Sequence, residues 1–247
     1  MLSRRGLFGL LPGVLADQKS SAAPARQRRI SQAELNDAIE THAEWLAGGS
    51  AGRRAVFANC DLSALDLSPR GEGLTDFRAA DFTGANLQGT TAALVSFVRA
   101  SLHGADLSGS CFEDPAFSYA SLRNATCVNA VWGTSREDTH LADFQHTDVA
   151  SAVLTGSRIR GLFYDARFTC AQLEDMDFSH SRFLGAGSAL PTSFFGANLC
   201  RASFDKTVLQ AARFSRSSLT DATFRGADIY AEVHLSIQKA IAEQESA

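Results

Sequence analysis

Residues 80–89 read A-D-F-T-G-A-N-L-Q-G and residues 100–109 read A-S-L-H-G-A-D-L-S-G. Each is a pair of five-residue units: a small residue, a polar residue, a large apolar residue, then two residues of turn character. With the large apolar residue taken as the centre, this spacing runs unbroken from Phe77 to Trp132. Upstream it is carried by Phe57, Leu62 and Leu67. Downstream it resumes at Phe144, Val149, Leu154 and Ile159, then from Phe168 to Phe183, and finally from Phe194 to Ile229. Of these 31 centres 25 are Leu or Phe, and 14 of the 17 Phe in the chain are among them, so the aromatic content belongs to the repeat. A period of five fits neither the 3.6-residue helix nor strand alternation, and repetition at a fixed period outranks local propensity. Tandem Ala-Leu helices are excluded on the same ground, and by the frequency of Gly, Asx and β-branched residues.

The period implies that every fifth residue turns inward, together with the small residue two positions before it. The intervening Asp, Asn, Arg, Ser and Gly suit solvent and turns. An excess of Phe over the 3 Tyr and 2 Trp fits rings buried where no hydrogen-bond partner is offered. Phe57, Phe77, Phe97 and Phe117 recur every 20 residues, the spacing of a ladder on one face of a four-unit coil. In the last run Phe alternates with Leu or Ile, which predicts Phe on two opposite faces and aliphatic residues on the other two. The pattern resembles the pentapeptide-repeat family, A-(D/N)-(L/F)-x-x, over about residues 55–231. That resemblance implies an all-β solenoid, a right-handed quadrilateral β-helix with four pentapeptides per coil. The count gives about eight coils, or a rod ~38 Å long at the spacing of stacked strands.

Solenoid ends need caps. Ser31 and Glu34 form a capping box, with Ile30 and Leu35 placed as a hydrophobic staple. Leu35, Ala38, Ile39, His42, Trp45 and Leu46 share one helical stripe and Gly48-Gly49 is a stop signal, predicting a capping helix from Gln32 to Leu46. Val233, Ile237 and Ile241, at four-residue spacing, predict a C-terminal helix that caps the last coil or pairs with a second copy as a homodimer. Ahead of the fold, Ser3-Arg4-Arg5 precedes a short apolar run ending at Ala16, and Ala23-Pro24-Ala25 is a small-residue cleavage pattern. This resembles the twin-arginine export signal, with Leu7 in the usual phenylalanine place, and implies an exported, periplasmic protein, the alternative being a cytoplasmic one. The expected organisation is therefore a signal segment at 1–25, a linker and capping helix at 26–54, the solenoid at 55–229, and a C-terminal helix or tail at 230–247.

The net charge of −4 disfavours a duplex nucleic-acid partner, and no apolar stretch is long enough to span a bilayer. Four breaks interrupt the repeat, at 68–75, 133–143, 160–166 and 184–192; interrupted coils are expected to bulge into loops, where function usually sits. At the end of the most polar break, 133–143, His140 and His146 flank Asp143, a spacing that fits no standard metal site. His42 reads as a packed structural histidine. Cys60 and Cys127 fall at inward positions, Cys111, Cys170 and Cys200 at outward ones, and neither their spacing nor their odd number makes a disulfide framework. The sequence nominates no catalytic, cofactor-binding or metal residue, no cofactor and no defined binding residue. It therefore reads as a non-catalytic scaffold for an unidentified protein partner. The alternative is a DNA-mimicking regulator of an enzyme such as gyrase, for which Asp61, Asp66, Asp76, Asp81, Asp106, Asp143, Asp148, Asp177 and Asp228 would supply the acidic surface. Interleaved Arg78, Arg99, Arg123, Arg158, Arg182, Arg201, Arg213 and Arg225 argue against it.

Overall fold

The computed structural model describes residues 27–71, 73–133, 141–185 and 191–245. The repeat winds into a four-faced solenoid in which every strand pair between coils is parallel. One face runs Val56, Asp81, Ser101, Ser121, Asp148, Arg167, Ser193, Arg213. The next runs from Asp61 to Ser218, the third from Asp66 to Thr223, and the fourth from Asp76 to Asp228. Each face has eight rungs, so the coil makes seven full steps, a rise of ~34 Å at strand spacing.

The backbone explains the period. The centre's N–H donates to the coil above, as Phe82 N does to Ser101 O (2.8 Å), while the residue before it donates to the coil below, as Asp81 N does to Ala55 O (3.1 Å). Two residues past the centre the chain turns a corner in the left-handed region, at Gly84 (φ 64°) and Gly104 (φ 64°) and equally at Ala64 (φ 59°) and Arg99 (φ 59°). The small residue after the corner then donates back to the previous centre, as Ala85 N does to Phe82 O (2.9 Å). Five residues make one side, and four sides close a coil. The centres fill the interior: Phe77, Leu87, Leu107, Phe144, Leu173 and Phe194 have no exposed surface.

Within the solenoid, two expectations are corrected. The break at 160–166 is not a loop. Gly161–Phe163 is a strand paired with both Ala142–Asp143 and Arg182–Phe183, and Phe163 is a further, fully buried centre that completes four per rung. It was hidden because that corner is one residue short: Arg158 and Leu162 hold successive faces four residues apart, where Asp177 and Arg182 are five apart. Phe57 also leaves the ladder expected of it. Asp66 and Asp76 hold successive faces ten residues apart, so the extra residues at 68–75 shift Phe57 onto the face of Phe82, with which it stacks at 5.2 Å. The fourth face carries the long ladder instead: Phe77, Phe97, Phe117, Phe144, Phe163 and Phe183 stack at 4.6–5.8 Å. In the last two coils Phe194 and Phe214 stack on one face and Phe204 and Phe224 on the opposite one, with Leu and Ile between, as the alternation predicts.

Both ends carry helices. The first, α1 (Gln32–Leu46), has the capping box, and Gly48 (φ 78°) and Gly49 close it by donating to Trp45 O and Glu44 O. The edge of the first coil is satisfied face by face. Arg28–Arg29 pairs with Cys60–Asp61; the Gln32 amide both donates to Asp66 O and accepts from Asp66 N; Arg54 donates to Ala79 O. His42, fully buried and stacked between Trp45 and Phe77, accepts from Ala55 N (3.1 Å) at Nδ1 and donates from Nε2 to Arg78 O (3.1 Å). At the other end α2 (Ala231–Glu245) buries Val233, Ile237 and Ala240. Ile241, expected on that face, is instead 43% exposed, because at 3.6 residues per turn the step after Ile237 that returns to the rod is three, not four. Ser236 Oγ and Glu243 Oε2 accept from Phe214 N and Arg216 N, two of the amides of the last coil that have no coil above.

Candidate interaction surface

The outward positions follow from the same register: the residue before each centre and the two after it. The Asp before the centre is not free. Of the nine Asp residues in that position, eight accept the backbone N–H two residues on, as Asp61 does from Ser63 (3.0 Å) and Asp106 from Ser108 (2.9 Å). This Asx turn satisfies the amide that leads into the corner. Hydrogen bonds from Ser63, Ser68 and Thr83 hold the carboxyls of Asp61, Asp66 and Asp81 below the usual range. Arginines take up much of the remaining charge: Arg78 with Asp76 (2.7 Å), Arg123 with Asp148 (3.2 Å), Arg158 with Asp177 (3.2 Å), and Arg201 with both Asp175 (2.6 Å) and Glu174 (2.8 Å).

The corner that follows the fourth face departs from this pattern. Arg99 lies over the Tyr119 ring (5.6 Å), Tyr119 stacks on His146 (4.6 Å), and His146 meets Tyr164 edge-on (5.4 Å). His146 Nδ1 is 3.0 Å from Asp165 Oδ2. These residues occupy four successive coils, and Tyr119 remains 54% exposed. The strip joins two of the three tyrosines of the chain. Aromatic and Arg side chains held rigidly on a surface are the residue types that dominate protein interfaces. The sequence did not disclose it. The residues do sit one or two positions after successive centres of one face, but the insertion at 133–143 and the short corner at 160–166 shift the 20-residue period between them.

Asp143 and His146, the described part of the possible metal set, take other partners. Asp143 accepts from Ser118 Oγ and Gln145 N, while His146 turns to Asp165; His140 lies outside the described residues, as does most of its break. Among the described residues no three His, Cys, Asp or Glu side chains converge. Cys60 and Cys127 face inward, and burial pushes the Cys127 thiol far up; Cys111 and Cys170 are exposed and Cys200 half-buried. Among the described residues no helix is long and apolar enough to cross a membrane.

A family model described as pentapeptide repeats matches in eight copies, over residues 75–114 and 192–229. No curated protein matches the chain. Among solved structures the chain is similar to HetL, a pentapeptide-repeat protein involved in heterocyst differentiation regulation in Nostoc, at 20% identity over 75% of this chain and 92% of that one (TM-score 0.30). It is similar to a thylakoid-lumen pentapeptide-repeat protein of Arabidopsis thaliana at 22% identity over 50% and 68% (TM-score 0.28). It is also similar to QnrB1, a plasmid-mediated fluoroquinolone resistance protein, at 20% identity over 72% and 98% (TM-score 0.32). The eight matched copies make residues 75–114 and 192–229 pentapeptide repeats, and the five-residue register continues between and before them.

Proposed function

We propose that the protein is a non-catalytic scaffold that docks a protein partner along the Arg99–Tyr119–His146–Tyr164 strip. The observation that carries this reading is the stacking of exposed Arg99 and Tyr119 with half-buried His146 and Tyr164 across four coils of a rigid rod. A photo-crosslinking amino acid at position 119, used in the native host, tests it. A discrete crosslinked partner whose yield falls at least tenfold with His146→Ala supports the strip as the docking face. Crosslinking that is diffuse, or equal from a control position such as Gln88, removes it.

A DNA-mimicking regulator of gyrase draws less support, because the carboxylates that would imitate phosphates are bonded to their own backbone and to arginines. We further propose that the protein is exported, on the strength of the Ser3-Arg4-Arg5 pattern and the apolar run behind it. Residues 1–26 lie outside the described part of the structure. A reporter fused to residues 1–30 should leave the cytoplasm only when Arg4 and Arg5 are intact, and export by an Arg4→Lys, Arg5→Lys double variant would refute this.

A further inference from the structure

The two ends of the rod are closed unequally. At the first coil each face finds a partner, down to the amide of Ala55 on His42 and the carbonyl of Asp66 on Gln32. At the last coil α2 serves the first face, through Ser236 and Glu243, and reaches Ser218 on the second through Gln244. The third face receives nothing from it among the described residues. One coil lower, that face is fully paired. Ala202 O accepts from Thr223 N (3.0 Å), Phe204 N donates to Thr223 O (2.8 Å), Lys206 N donates to Arg225 O (2.9 Å), and Thr207 O accepts from Asp228 N (2.9 Å). The same four groups recur in the last coil as Ala222 O, Phe224 N, Gly226 N and Ala227 O, and no described residue meets any of them.

The core is open at the same place. Phe224 stacks on Phe204 at 5.1 Å, but its other side is bare: among the described residues every other Phe centre is buried, and Phe224 is only partly so. Ala222, Ala227 and Ile229 beside it are partly exposed too, where Ala202, Thr207 and Leu209 in the coil below are buried. An unpaired strand edge beside uncovered apolar surface is a template for another strand.

We infer that the third face of the last coil is a docking edge for a short extended segment of a partner protein, which adds to the stack as a further rung. The bare groups name this occupant. They are backbone donors and acceptors in the order acceptor, donor, donor, acceptor, and an extended backbone supplies the complements at that spacing. A helix has its own backbone groups paired and meets such an edge only through side chains, as α2 does on the first face. The rung register also sets the side chains of the segment: a large apolar residue above the Phe224 ring and a small one two positions before it, above Ala222. A second rod is a poorer occupant. Its first coil is already covered, and α2 rises roughly 10 Å above the last coil, about twice the ~4.8 Å at which strands pair. A single extended segment fits beside the helix. This edge lies at the end of the rod, apart from the Arg99–Tyr164 strip, and does not depend on it.

Titration of the full chain with a capped peptide of sequence A-T-F-R-G-A-D, a copy of residues 222–228, tests the inference by amide NMR. The Phe224 and Gly226 amides should shift saturably and exchange at least tenfold more slowly, with Phe97 and Leu107 unmoved. Two further peptides probe the pairing itself. Methylation of the threonine nitrogen, which would donate to Ala222 O, should weaken binding at least tenfold. Methylation of the phenylalanine nitrogen, which faces away from the rod, should leave binding intact. Absence of saturable shifts at Phe224 and Gly226 would overturn the inference, as would equal affinity of the two methylated peptides. It would also fall if both amides were already protected in the free chain and sedimentation gave twice the chain mass, since a second copy would then hold the edge.

Discussion

At the scale of single residues, the five-residue motif is a list of backbone requirements. The Asp or Asn before the centre is there to accept an amide, as in Asp81 with Thr83 N and Asn86 with Gln88 N. The corner residue must sit at positive φ. Gly does so without cost, but among the described residues 17 others take that conformation too, including Ala64, which is exposed and has only a methyl to lose. The left-handed region costs an L-residue roughly 1–2 kcal/mol, and a new Gly gives back about 0.4–1 kcal/mol through the freedom of the unfolded chain. Ala64→Gly should therefore raise stability by up to about 1 kcal/mol, seen as a higher midpoint in urea with an unchanged slope. The converse change, Gly84→Ala, should destabilise, because its new Cβ would lie 2.5 Å from Asn59 Oδ1.

The elements at the ends answer a different requirement, the unpaired edge of a stack. In α1 one helix face supplies Leu35 to the core and His42 to the backbone of the first coil. His42 works only while neutral, since Nδ1 must accept from Ala55 N. Burial pushes its pKa below the ordinary value, the Arg78 carbonyl opposing this in part. The unfolded chain, titrating near 6.5, therefore binds the proton first as pH falls. The contribution of His42 is complete above about pH 6.5 and is lost as pH drops through the lower folded-state value. Exchange of the Ala55 amide should quicken over that interval, and a His42→Gln variant should show no such step. Equal pH dependence in both proteins would mean that another group loosens the cap.

For the whole molecule, the eight rungs contact only their neighbours, so stability is a sum of coil and interface terms. The centre of the rod, around the Phe117–Phe144–Phe163 stack, has a coil on both sides. The last coil depends on α2, whose Ser236 and Glu243 take two of its free amides and whose Val233 and Ile237 pack against it. Deleting residues 231–247 should lower hydrogen-exchange protection at Phe214 and Arg216 by at least an order of magnitude. Protection at Phe97 and Phe117 should stay unchanged. Loss of protection throughout would show that the rod unfolds as one unit.

The solenoid, its inward centres and both helices were legible in the sequence because a side chain's direction in this backbone depends only on its place within five residues. Ile241 was misplaced because helix geometry, not even spacing, selects the buried face. Residues that meet between coils were not legible, since their neighbours depend on the cumulative count of residues per turn. Ten residues between Asp66 and Asp76 moved Phe57 to another face, and the four between Arg158 and Leu162 hid Phe163. The same irregularities bring Tyr119 beneath His146. The sequence by itself determined the coil. Which outward side chains share a surface was decided only by the tertiary structure, because insertions and deletions at the corners set the vertical register of the stack.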